Sequence, residues 1–199
     1  LGTVPDGVEG CPRVLYDIVG GTRSATNELI RSGARKIVYI QSDRTRSGHI
    51  GRYLGYQQAL WENGIHLDEG LCVTVSPERG KTVQDALGDL LDRGVPFDGV
   101  YANSLTNAIE TISYLKSRGL RVPDDVRVIT LDSGPLAEMY APSISTIEGE
   151  TQMACDAVVN AVQDLLENGK VNTMSVCIPT TLHPRETTGV IEKKQGEKI

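Results

Sequence analysis

Residues 99–132 read GVYANSLTNAIETISYLKSRGLRVPDDVRVITLD. Residues 99–103 form an apolar run closed by Asn103, and residues 126–132 form a second one closed by Asp132. Short apolar runs without polar alternation suit strands buried on both faces. Between them Leu105, Ile109, Ile112 and Leu115 recur at steps of three and four, which places one apolar stripe on a helix over 105–118. Gly119 follows the last turn, where a residue tolerant of positive φ closes a helix most easily. The stretch therefore predicts strand, helix and parallel strand.

The same unit recurs upstream. Strand-like runs lie at 13–16, 36–41 and 71–75, and helical stretches at 22–31, 49–63 and 82–93, with Gly33, Gly64 and Gly94 just past their ends. Four successive strand-to-helix passages predict an α/β fold, a doubly wound parallel sheet with helices on both faces. After Asp132 the rhythm breaks. Residues 133–142 read as a loop, 144–147 as a short strand or crossing, 150–168 as a long helix, 174–178 as a strand and 180–188 as a loop or short strand. The polar tail from Glu192 is expected to fray.

Composition narrows the function classes. The chain has 199 residues, of which 39 % are hydrophobic and 23 % charged, enough for one or two domains with a real core. One Trp, one Phe and seven Tyr leave the core to Val, Ile, Leu and Ala. A net charge of −6 speaks against nucleic-acid binding by this chain alone, because phosphates need clustered Lys and Arg. No apolar run approaches the roughly 20 residues that span a bilayer, and no signal peptide is visible at Leu1. Cys11, Cys72, Cys155 and Cys177 form no CxxC pair, so they read as buried free thiols in a reducing, cytoplasmic setting rather than as a zinc or redox motif. There is no G-x-S-x-G, H-E-x-x-H or Walker A run, and His49, His66 and His183 are dispersed. G-x-G-x-x-G is absent after the first strand. A non-enzyme without cofactor or metal is expected.

Six segments in order resemble the effector-binding domain of the LacI/GalR family of transcription regulators, which has the periplasmic-binding-protein fold. They are Gly21-Thr22-Arg23 with Glu28-Leu29-Ile30; Lys36 to Ile40; Arg52-Tyr53-Leu54-Gly55-Tyr56 with Ala59-Leu60 and Gly64-Ile65; Tyr101-Ala102-Asn103; Gly119-Leu120-Arg121-Val122-Pro123-Asp124-Asp125-Val126; and the closing run 179–188. The resemblance implies two α/β lobes joined by three crossings, near Tyr16/Asp17, Glu148 to Glu150 and Pro179/Thr180. It gives residues 17–149 and 180–199 to a complete C-terminal lobe, and 1–16 and 150–179 to a remnant of the N-terminal lobe. It also implies that this is a fragment of a longer regulator, lacking its helix-turn-helix headpiece. The competing reading is one self-contained doubly wound domain.

Ligands of open α/β sheets bind beyond the carboxyl ends of the strands. Arg52, Asn103 and Asp132 sit at such positions. Arg supplies a rigid donor fork, Asp accepts two hydroxyl hydrogen bonds and Asn does both, a set suited to a sugar-like effector. The resemblance implies the same three contacts. The bland alternatives are a surface ion pair for Arg52, a helix N-cap for Asn103 and an Asx-turn for Asp132. Tyr16 at the first crossing is either an aromatic wall of the site or hinge packing. Ser104 and Ser133 replace acidic residues of the family pattern, which bears on the identity of the ligand. Arg44 and Arg46 in the loop 41–47 either favour a phosphate or carboxylate or are a solvated loop.

The family reading places a homodimer contact on Ala108 and Ile112 of one helix and on Leu136, Met139 and Tyr140. It has DNA as a partner only through the headpiece, and no membrane partner. The alternative function is a periplasmic or lipid-anchored sugar receptor of a transporter, since the fold is shared.

Overall fold

The repeated strand-helix units fold into alternating layers in a computed structural model that describes residues 12–42, 48–131, 134–171 and 175–189. β1 (Arg13–Tyr16) leads into α1 (Ile18–Arg31), then β2 (Ile37–Ser42), α2 (Gly48–Glu62), β3 (Cys72–Val75), α3 (Val83–Asp92), β4 (Gly99–Ala102), α4 (Leu105–Ser117) and β5 (Arg127–Leu131). The rest comprises α5 (Pro135–Met139), β6 (Ser145–Gly149), α6 (Thr151–Asn168), β7 (Ser175–Ile178) and β8 (Thr180–His183). Six strands form one sheet in the order β3-β2-β4-β5-β6-β8, parallel except for β8, which pairs antiparallel with β6. β1 and β7 form a separate parallel pair.

Strand alternation divides the large sheet's interior in two. Val38, Ile40, Val100, Ala102 and Val128 pack against α3 and α4 through Leu87, Leu90, Ala108, Ile112 and Leu115. Ile37, Tyr39, Tyr101 and Ile129 pack against α1 and α2 through Ala25, Leu29, Tyr56 and Leu60. The expectation of an aliphatic core thus holds for the first face only. On the second, Tyr101, Tyr39 and Tyr56 stack in series, with ring centroids 5.5 and 5.0 Å apart and interplanar angles of 12° and 23°. A low aromatic count does not preclude such a stack, because three of the seven tyrosines are brought to one place and Tyr53 lies tilted against Tyr39 at 5.8 Å.

Several boundaries shift for local reasons. α1 starts at Ile18, ahead of the predicted 22, because the Asp17 carboxylate accepts the Gly20 N–H at 2.8 Å and caps the helix there. The stretch 133–142, read as a loop, contains α5, opened by Pro135, whose missing N–H costs nothing in a first turn. Arg185, buried after β8, ties that region together. Its guanidinium donates to the Ile144 carbonyl at 3.0 Å and pairs with Glu138 at 3.0 Å and Glu148 at 3.3 Å.

The thiols are not buried as expected. Cys72 is half-buried, and Cys155 and Cys177 are exposed, since α6 and the two-stranded sheet turn those positions outward. Cys11 lies outside the described residues. On α6 only Ala154 is fully buried, while Val159, Val162, Leu165 and Leu166 are exposed. Among the described residues no helix is long and apolar enough to cross a membrane.

Candidate functional site

The chain runs from β2 outward to β3 and then returns to the other side of β2 as β4. The strand order reverses between β2 and β4. The helices leaving these two strands lie on opposite faces, α2 with the tyrosine face and α4 with the aliphatic one. The carboxyl ends of two strands at such a reversal are the usual ligand position in these sheets. Arg52, in the early turns of α2, and Asn103, directly after β4, flank it.

The charge of Arg52 acts on the Tyr101 phenol of the tyrosine face. The Tyr101 hydroxyl is 3.1 Å from the Thr22 hydroxyl of α1, and both residues are fully buried. Burial pushes the Tyr101 phenol up to about 12, opposed by the hydrogen bond to Thr22 and the nearby Arg52 charge. Tyr39 and Tyr56 are raised further, again chiefly by burial. The Tyr56 hydroxyl donates to the Ile37 carbonyl at 2.8 Å, whereas the Tyr39 hydroxyl is buried without a hydrogen-bond partner. Gly55, one turn beyond Arg52, sets the approach of α2 to α1. A Cβ there would strike the Val19 carbonyl and come within 3.0 Å of Thr22 Cβ.

Asn103 is buried and accepts from Asn107 Nδ2 at 2.5 Å. It is not the helix cap. Ser104 takes that role, its hydroxyl accepting the Asn107 N–H at 3.2 Å. The next register step beyond the pair Ala102 and Thr130 sets Asn103 beside Leu131 at the end of β5. Asp132 follows Leu131 and lies outside the described residues, as do Arg44 and Arg46.

Leu131 also lines a cavity of about 190 Å³ with Tyr16, Ile18, Ile147, Gly149, Thr151 and Thr180. The three expected crossings meet here. The Asp17 N–H donates to the Ile178 carbonyl at 2.8 Å and the Glu150 N–H to Pro179 at 3.4 Å. The Tyr16 ring lies so close over Gly149 that any side chain at that position would collide with it. Tyr16 therefore packs on Gly149 while forming a wall of this cavity. A larger space of about 370 Å³ lies between α6 and the β1–β7 pair, lined in part by Val14, Met153, Ala157 and Val176, and it holds none of the expected ligand residues.

Two of the five expected dimer residues do not face outward. Ala108 and Ile112 are 0 % and 4 % exposed, because they form the α4 stripe that seals the aliphatic core. Leu136 and Met139 are 52 % and 80 % exposed on α5, and Tyr140 packs partly against the core. Sequence reading missed the Thr22–Tyr101 hydroxyl pair and Tyr39 on this face, whose partners lie too far apart in the chain to leave a local signal.

The comparisons fit this geometry. A family model described as a periplasmic binding protein-like domain matches residues 26–188. The regulator CelR of Thermobifida fusca is 29 % identical over 174 residues, covering 87 % of this chain and 51 % of CelR. DegA of Bacillus subtilis is 35 % identical over 136 residues, 67 % of this chain and 39 % of DegA. A solved CelR–cellobiose complex superposes with a TM-score of 0.80 at 29 % identity, covering 92 % of this chain and 56 % of that one. The chain thus spans about half the length or less of these curated relatives. All are named as transcriptional regulators. With its sheet order, its crossings and its matched segments, the chain belongs to the periplasmic binding protein-like domain family, as an effector-binding domain of the LacI/GalR type.

Proposed function

We propose that this chain senses a sugar-like effector in the crevice between β2 and β4 and passes the signal to DNA binding in a LacI-type regulator. The observation that carries the reading is the placement of Arg52 and Asn103 on the two sides of the strand-order reversal. Together they offer donors and acceptors suited to vicinal hydroxyls, and Asp132 adds an acceptor. A relative solved with cellobiose supports a sugar as the ligand class.

The reading involves binding without a catalytic step. Residues 12–16 and 150–179 belong to a second lobe, consistent with the separate β1–β7 pair and the outward apolar side of α6. Effector favours one arrangement of the lobes by binding it more tightly. A near-complete switch needs a preference of roughly 10⁴-fold, about 5.5 kcal/mol. The change reaches DNA through a homodimer in which Leu136 and Met139 of α5 meet a second copy. DNA itself is bound by a helix-turn-helix segment of the kind for which the relatives are named, in the cytoplasm.

Calorimetric titration with cellobiose, glucose and ribose tests the site. At least one sugar should bind the chain, and Arg52→Ala and Asp132→Ala should each weaken it about tenfold or more. Unchanged affinity in both variants overturns the assignment.

A further inference from the structure

The Arg185 side chain, 8 % exposed, is a buried junction between two parts of the molecule. Its backbone N–H donates to the Ser145 hydroxyl at 2.8 Å, which seats it at the start of β6. Nη1 donates to the Ile144 carbonyl at 3.0 Å and to the Thr146 hydroxyl. Nη2 donates to Glu138 of α5 at 3.0 Å and to Glu148 near the end of β6 at 3.3 Å. The Thr146 hydroxyl donates in turn to Glu148 at 2.7 Å, which closes a ring. Glu148 directly precedes the crossing at Gly149 and Glu150, where the Glu150 carboxylate accepts from the Thr181 hydroxyl at 2.8 Å. Glu138 sits on the short helix that presents Leu136 and Met139 to solvent. A cavity of about 360 Å³ beside the junction, lined in part by Glu138, Ser143, His183 and Arg185, leaves the Glu138 side chain room to move.

Resting on the lobe movement of the effector reading, we propose that Arg185 is a positioning residue that transmits the placement of the β6 crossing to α5. The planar guanidinium is a rigid fork, so its Nη2 donors cannot follow Glu148 without turning relative to Glu138. Charge acts in the same direction. One buried cation is shared by two carboxylates, and a carboxylate that withdraws leaves the cation to the other. A shift of Glu148 with the crossing is therefore felt by Glu138 and by the exposed side of α5. A lysine at this position could not serve, because a single ammonium replaces the fork.

The first test needs no ligand. The Tyr140 N–H at the end of α5, bonded to the Leu136 carbonyl at 3.0 Å, reports on that helix by amide hydrogen exchange. Glu138, 68 % exposed, can be replaced without opening the core. Glu148→Ala should speed Tyr140 exchange about threefold or more, and should add nothing in a Glu138→Ala background, where the arm to α5 is already gone. The remote Arg93 N–H at the end of α3 should not change in either variant. Equal acceleration at Arg93, an unchanged Tyr140, or additive effects of the two substitutions each overturn the proposal. In the second test, the tightest-binding of cellobiose, glucose and ribose should alter Tyr140 exchange in the wild-type chain. It should leave that exchange unaltered in Glu138→Ala, which should bind the sugar equally well. The same response in both chains, including none in either, overturns the proposal. Absence of binding by all three sugars would instead sink the effector reading, with the first test still deciding whether Arg185 links β6 to α5.

Discussion

The two faces of the large sheet are built from one set of strands and packed in different ways. Toward α3 and α4 the contacts are aliphatic and non-directional. Toward α1 and α2 three buried phenols are stacked, and two of their hydroxyls meet Thr22 and a strand carbonyl. The aliphatic face needs only volume and apolar area. The tyrosine face also needs direction, since each buried hydroxyl must find a partner or destabilise the fold. The directed face is the one that underlies the candidate site.

The largest effect is expected on the aliphatic face. Leu87 is fully buried there, and Leu87→Ala should lower unfolding stability by about 2–5 kcal/mol in urea titration. A much smaller loss would mean that this face is loosely packed.

The next effect separates the faces by pH. Tyr101 is raised from its ordinary 10.0 to about 12, and Tyr39 and Tyr56 higher, all chiefly by burial. Below pH 10 both folded and unfolded chains keep these protons and stability is complete. Between pH 10 and 12 the unfolded chain loses them first, so stability falls as pH rises through that interval. For Tyr101 the loss amounts to about 3 kcal/mol. Urea midpoints measured with tyrosinate absorbance should drop across this window. A flat profile would contradict the buried stack.

The smallest effect lies within the stack itself. Tyr56→Phe strands the Ile37 carbonyl and should cost about 1 kcal/mol. Tyr39→Phe removes a hydroxyl that lacks a partner, and should leave stability unchanged or raise it by less than about 1 kcal/mol. Equal losses at both positions would show that Tyr39 has a polar role the stack does not reveal. Thermal melting of the two variants side by side checks this.

Much of the fold was legible locally. The run 13–16 coincides with β1, and Gly94 and Gly119, expected to close helices, have φ of +68° and +77°. Arg52 and Asn103 were legible as candidates because strand ends and helix starts are local features. The role of Asn103 was less so. Asn and Ser are both good caps, and only backbone geometry decides that Ser104 accepts the helix N–H. Ala108 and Ile112, expected at a dimer surface, are buried on or beside the stripe that seals the core. The exposed α6 side shows the converse. Its apolar residues Val159, Val162, Leu165 and Leu166 are exposed, and among the described residues little covers them.

Periodicity and helix stops by themselves determined an α/β chain of strand-helix units, because both are set by residues a few positions apart. Strand neighbours are a non-local choice, made by packing both sides of the sheet at once. Only the tertiary structure placed β2 between β3 and β4, with the strand-order reversal between β2 and β4. It also brought Thr22 to Tyr101, 79 residues away. No spacing in the chain records that meeting, because it depends on which helix covers which strand.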